Sequence, residues 1–117
     1  MEKITVYEKP TCTTCRKTIK LLQEKGYSFD RINYYIKPFS KNKLNTLLKK
    51  MNMKPSELLR KNEEAFKQLD IKNKKYSENQ ILEFMISDHN LIQRPIVEKG
   101  EKAILGRPVE KILELFD

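Results

Sequence analysis

Two cysteines, Cys12 and Cys15, stand where an apolar, β-prone run gives way to helical spacing, and no other stretch constrains the fold as much. Ile4-Thr5-Val6-Tyr7 precedes them and predicts a strand over residues 2–8. Behind them Cys15, Ile19 and Leu22 recur at i, i+4 and i+7, which predicts a helix over residues 13–25. The stretch Lys9 to Lys17 therefore opens a helix, where unpaired backbone N–H groups and the positive end of the helix dipole converge. A thiol at such a point is stabilised as thiolate, so its pKa falls below the free value of about 8.5. The Cys-x-x-Cys spacing sets the second sulfur about one turn from the first, within reach of a disulfide. Ordinary buried cysteines would act as small hydrophobes. These are the only two in the chain, and their spacing and strand-to-helix position match a redox pair. A zinc site would need two more ligands, and His89 is the only histidine, so no metal is expected.

The rest of the chain reads as alternating strands and helices. Gly26 stands where a helix-ending glycine belongs, and Tyr27 to Tyr35 is aromatic and β-branched enough for a second strand. A β-α-β opening of this length implies a parallel pair with a right-handed crossover. Ser40 is a predicted N-cap for a helix carrying Leu44, Leu47, Leu48 and Met51. Pro55 restarts a helix that carries Leu58, Leu59, Phe66 and Leu69, with a bend near Asn62. Residues 71–76 read as a loop, and Ser77 caps a helix containing Ile81, Leu82, Phe84 and Met85. These stripes are most simply core. His89 is expected at that helix's C-terminus, where the dipole favours a cation, rather than as a catalytic base. Leu91 to Val97 is a short apolar strand interrupted by Arg94-Pro95; residues 98–101 are a turn; Lys102 to Leu105 closes a β-hairpin. Pro108 begins a last helix with Val109, Ile112, Leu113 and Phe116 on one face.

The sum is β-α-β, a helical insert, then β-β-α. That is an α/β, thioredoxin-like arrangement in which helices flank a mixed sheet, the sheet order coming by analogy. At 117 residues the chain is expected to form one domain over residues 1–117.

Charge narrows the function. The net charge of +8 favours anionic partners, though most of it is lysine spread over every segment. Only five of the 24 basic residues are arginine: Arg16, Arg31, Arg60, Arg94 and Arg107. In a lysine-rich chain an arginine points to a place that needs a planar, bidentate fork. No apolar run approaches the length of a membrane span, and two reduced-looking cysteines without a signal peptide argue for the cytoplasm. Neither a helix-turn-helix nor a localised basic stripe is present, so direct DNA binding is not expected.

Four separated segments carry a resemblance: Tyr7 through Arg16, Leu58-Leu59-Arg60-Lys61-Asn62, Ile92-Gln93-Arg94-Pro95-Ile96-Val97, and Gly106-Arg107-Pro108. With these, essentially the whole chain resembles the ArsC family of glutaredoxin-coupled arsenate reductases, together with the related Spx-type regulators. The resemblance implies Cys12 as a nucleophile on an oxyanion, with Arg60, Arg94 and Arg107 holding its oxygens. It implies no bound cofactor, and glutathione with glutaredoxin, or thioredoxin, as electron donor. Pro95 resembles the proline, usually cis, that faces the cysteine loop in thioredoxin-like folds. Taken without the resemblance, Arg60 reads as an ion-pair partner of Glu63 or Glu64.

Two positions depart from the pattern. Glu8 stands where many of these reductases have a histidine, and a carboxylate near Cys12 would raise its pKa. Cys15 stands where they commonly have serine, which offers an internal thiol to resolve a Cys12 adduct. The alternative implied is an Spx-type redox sensor that binds the RNA polymerase α subunit. Such regulators usually lack the equivalents of Gly106-Arg107-Pro108 and of the segment around Arg60.

Overall fold

The computed structural model describes residues 3–9, 11–61, 64–70 and 75–116. It contains two compact units: residues 1–37 with 94–117, and residues 38–93.

The first unit is built on a four-stranded sheet in the order β2-β1-β3-β4. β1 (Ile4–Glu8) runs parallel to β2 (Asp30–Asn33), with Val6 opposite Arg31. It runs antiparallel to β3 (Ile96–Lys99), with Val6 opposite Val97, and β3 pairs antiparallel with β4 (Lys102–Leu105). β1 is buried at every position, as a central strand covered on both faces must be. Helix α1 (Thr13–Glu24) joins β1 to β2 and buries Cys15, Thr18, Ile19 and Leu22. Ile19 and Leu22 pack with Ile4, Val6, Val97, Ile112 and Leu115 in one core cluster.

Gly26 ends α1 at φ +78°, a backbone conformation that costs a Cβ-bearing residue about 1–2 kcal/mol. The Tyr27 N–H reaches Leu22 O at 3.1 Å and the Gly26 N–H reaches Gln23 O at 3.0 Å, a complete Schellman motif.

Three boundaries differ from the sequence expectation. β2 is only four residues long, because Asn33 turns the chain: its Oδ1 accepts the Tyr35 N–H at 3.0 Å and its carbonyl accepts the Ile36 and Lys37 N–H groups. The strand expected over Leu91–Val97 begins only at Ile96, since Pro95 has no N–H to give a ladder. It then runs on through Glu98 and Lys99, leaving Gly100-Glu101 as the turn. The last helix, Val109–Phe116, is 3₁₀ rather than α. Its three-residue period adds Leu115 to the core beside Ile112, which was expected there, while Phe116 packs against the same cluster.

The second unit is helical. α2 (Lys41–Met51) starts at Ser40, whose hydroxyl accepts the Lys43 N–H at 3.0 Å, and it buries Leu44, Leu47 and Leu48. The helix expected from Pro55 onward is two: α3 (Pro55–Leu58) and α4 (Glu64–Leu69). Leu59 leaves the helix to form an antiparallel bridge with Ile92. Around it, the Arg60 N–H donates to Leu91 O at 2.7 Å and the Gln93 N–H to Leu58 O at 3.0 Å. α5 (Glu78–Ser87) opens on a capping box between Ser77 and Gln80. The expected bend at Asn62, the proposed pairing of Arg60 with Glu63, and most of the loop expected over 71–76 fall outside the described residues.

His89 is not at the end of α5. That helix stops at Ser87, and His89 opens a separate 3₁₀ turn, His89–Leu91, capped by Asp88 Oδ1 on the Asn90 N–H at 3.0 Å. Burial lowers its pKa, against the pull of Asp88, so the cation expected from a helix dipole is disfavoured.

Candidate active site

Cys12 is the N-cap of α1. Its own N–H is tied to Lys9 O at 2.9 Å, its carbonyl accepts the Arg16 N–H at 3.1 Å, and its Sγ accepts the Cys15 N–H at 3.4 Å. The sulfur thus takes the role that a serine or aspartate oxygen plays at most N-caps. A thiolate does this better than a thiol, because the charge lies on the acceptor and at the positive end of the dipole.

Two arginines reach this sulfur from loops distant in sequence. Arg107 donates from Nη2 to Cys12 Sγ at 3.7 Å, and its Nε donates to the Arg94 carbonyl at 2.6 Å. Arg94 is 5% exposed, and its guanidinium charge favours the ionised form of the Cys12 sulfur. Both precede cis prolines, Pro95 and Pro108. The two loops are laced together, the Gly106 N–H donating to Pro95 O at 2.9 Å. Gly106 is tightly enclosed: a Cβ there would lie 3.1 Å from Pro95 and 3.2 Å from Ile112, so both neighbours would have to give way slightly.

Burial works to raise the Cys12 pKa, but hydrogen bonds from the Cys15 thiol and N–H, and the Arg94 guanidinium, outweigh it and hold the thiol below its ordinary value. Cys15 behaves oppositely. It is fully buried, and burial, the hydrogen bond with Cys12 and the nearby charges of Cys12 and Glu8 push it up to about 12. Both cysteines are free thiols. The site therefore holds one sulfur ready to ionise and one kept protonated.

Glu8 does not act as the sequence suggested. It is 2% exposed and held in a bidentate pair by Arg31, at 2.8 Å from Nη2 and 3.2 Å from Nε. Arg31 pairs with the carboxylate, and the Glu8 charge bears on Cys15 rather than figuring among the main influences on Cys12.

Two tyrosines complete the site and were not singled out in the sequence, where they read as strand. Tyr34 and Tyr35 follow the carboxyl end of β2, the sheet edge where α/β folds gather ligand-facing groups. Tyr34 is fully buried and interacts with Arg94; the Tyr35 hydroxyl accepts from Arg94 Nη1 at 3.2 Å. Arg94 Nε is buried with no hydrogen-bond partner among the described residues, which leaves one polar edge of the guanidinium unused. Arg60 belongs to the second unit, partly buried and held by its N–H on Leu91 O. Among the described residues no cluster of His, Cys, Asp and Glu is suited to a metal ion, and no helix is long and apolar enough to cross a membrane.

A mixed four-stranded sheet, with a cysteine capping the helix that follows its first strand and a cis-proline loop beside it, defines a thioredoxin-like protein. Within that class the chain belongs to the ArsC family, whose model matches residues 7–115. It is 33% identical over 115 residues to the uncharacterized protein YfgD of Escherichia coli strain K12, covering 97% of each chain. It is 34% identical to the arsenate reductase of Acidiphilium multivorum, over 99% of this chain and 82% of that protein. Among solved structures it is similar to a putative arsenate reductase from Yersinia pestis, with a TM-score of 0.88, 33% identity, and coverage of 96% of this chain and 99% of that one.

Proposed function

We propose that this protein is a thiol-dependent reductase of the arsenate reductase type. The observation that carries the reading is Cys12: an N-cap sulfur that accepts from Arg107 and whose pKa is lowered in part by the Arg94 guanidinium. A negative sulfur attacks a negative oxyanion only if the repulsion is offset, and two guanidiniums and a helix N-terminus supply that offset. Each arginine contributes on the order of 1.5–3 kcal/mol as a charged donor. Arg60 joins them as a third oxyanion ligand on the strength of its place in the matching Leu58 to Asn62 segment.

The Cys12 thiolate attacks pentavalent arsenic, a sulfur–arsenic bond forms, and an arsenate oxygen leaves as water. A second thiol then attacks the Cys12 sulfur, a disulfide forms, and the electron pair of the sulfur–arsenic bond departs with trivalent arsenite. Cys15 is buried and held protonated, which favours glutathione over Cys15 as that second thiol. Glutaredoxin or thioredoxin then restores Cys12 by disulfide exchange, with no cofactor bound to this chain. These donors belong to the cytoplasm. Our reading takes residues 1–117 as a single domain, in keeping with a family match over residues 7–115.

The test is NADPH consumption with purified protein, glutathione, glutaredoxin and glutathione reductase, with and without arsenate. Arsenate-dependent turnover that disappears in Cys12→Ser is expected; turnover retained by that variant sinks the mechanism. Cys15→Ser is expected to keep its activity and its glutathione requirement, and a new or steeper requirement would make Cys15 the resolving thiol. The second reading, a redox sensor on RNA polymerase, draws on two free thiols at redox spacing, with the Cys15 N–H donating to Cys12 Sγ. It requires co-purification with the polymerase α subunit, changed by oxidation.

A further inference from the structure

Tyr35 touches two cations of the Cys12 site at once. Its hydroxyl accepts from Arg94 Nη1 at 3.2 Å, and its ring centroid lies 6.0 Å from the Arg94 guanidinium carbon and 4.7 Å from Lys9 Nζ. Each of those residues is linked to Cys12 by a different route. The Arg94 guanidinium favours the ionised sulfur and its carbonyl accepts from Arg107, which donates to Cys12 Sγ, while the Lys9 carbonyl accepts the Cys12 N–H at 2.9 Å. Arginine and lysine side chains are long and rotamer-rich, and two like charges drawn to one site repel each other. The negative face of a phenol ring attracts both, and a hydroxyl acceptor fixes the rotation of one of them.

We infer that Tyr35 is a positioning residue of the site: its hydroxyl aligns Arg94 on the Cys12 sulfur and its ring holds Lys9 beside the cysteine loop, so that the cationic cradle is formed before any anion arrives. The inference rests on the reading of Cys12 as the reactive nucleophile. Lys9 thereby enters the site as a further cation, alongside the arginines. Pre-forming the cradle spares the anion the cost of ordering two flexible side chains, which is how such a residue acts on binding without touching the reacting atoms. The ring is independent of the fold's main core: Tyr35 is only partly buried and lies beyond the end of β2.

The experiment is the rate of Cys12 alkylation by iodoacetamide as a function of pH, in a Cys15→Ser background so that one thiol reports. Its surroundings are the residue 15 side chain and N–H on α1, Arg94 and Arg107 on the proline loops, and Tyr34 and Tyr35 after β2. Tyr35→Phe, which keeps the ring over Lys9 and removes the hydroxyl, is expected to move the midpoint upward by about half a pH unit. Tyr35→Leu, which removes both contacts, is expected to move it further. In turnover, the KM for arsenate is expected to rise at least about threefold in Tyr35→Phe and more in Tyr35→Leu, with kcat changed less. A Tyr35→Phe midpoint and KM equal to the parent's overturn the inference. So does an effect confined to thermal melting. Alkylation needs no oxyanion, so a parent protein inactive on arsenate would overturn the reductase reading while the alkylation profile still decided the role of Tyr35. If Tyr35→Leu fails to fold, Tyr35→Phe alone decides.

Discussion

At the scale of single residues, the two thiols of one Cys-x-x-Cys motif titrate in opposite directions because they occupy different turns of the same helix start. Cys12 caps the helix, accepts from Arg107 and feels the Arg94 charge; Cys15 lies one turn inside, fully buried, with Glu8 nearby. The pH dependence follows directly. Only a thiolate alkylates, so Cys12 is expected to react with a midpoint below the ordinary cysteine value, and Cys15 to stay unreactive until pH approaches about 12. Mass spectrometry of the alkylated protein across pH checks both; modification of Cys15 first would contradict the assignment. Arg107 makes two directed bonds, to Cys12 Sγ and to the Arg94 carbonyl, that a single ammonium cannot reproduce. Arg107→Lys is therefore expected to raise the KM for arsenate roughly 10- to 100-fold, the equivalent of one charged hydrogen bond, with an unchanged circular dichroism spectrum. Steady-state kinetics at saturating glutathione measures it. The arginines were visible as the rare forked cations of a lysine-rich chain, whereas Tyr35 was hidden in a run that reads as strand. Its role depends on where Asn33 turns the backbone.

At the scale of elements, the starts and stops that local chemistry dictates were legible. Ser40 and Ser77 cap the helices expected of them, and Gly26 closes α1 with both Schellman bonds. Gly26→Ala is expected to cost about 1 kcal/mol, since open space around the position leaves backbone strain as the whole penalty. Ser77→Ala is expected to cost a similar ~1 kcal/mol through the lost cap. Urea unfolding monitored by circular dichroism checks the pair, and a stabilised Gly26→Ala would contradict the left-handed assignment. What was not legible depends on partners elsewhere. Leu59 leaves a helical run because Ile92 is there to pair with it, and the final helix tightens to 3₁₀ as Ile112 and Leu115 meet the core.

At the scale of the whole molecule, the charge of +8 acts on approach rather than on chemistry. The kcat/KM for arsenate is expected to fall several-fold when ionic strength is raised about tenfold from low salt, as screening shortens the reach of the surface charge. Alkylation of Cys12 by neutral iodoacetamide at fixed pH is expected to change far less, and stopped-flow comparison of the two separates steering from reactivity. Equal salt dependence in both would remove the steering term.

The strand, the capped cysteine, the helix behind it and the order of elements followed from residues close along the chain, because caps, turns and hydrophobic periods are decided within one or two turns of backbone. Convergence of the site did not. Arg107 reaches Cys12 across 95 positions and Glu8 finds Arg31 across 23, contacts that exist only once the sheet has brought separate strand ends together. Those pairings decide which sulfur ionises, which carboxylate is paired and which tyrosine meets the arginine, and their physical basis is proximity in space between groups that no local pattern links.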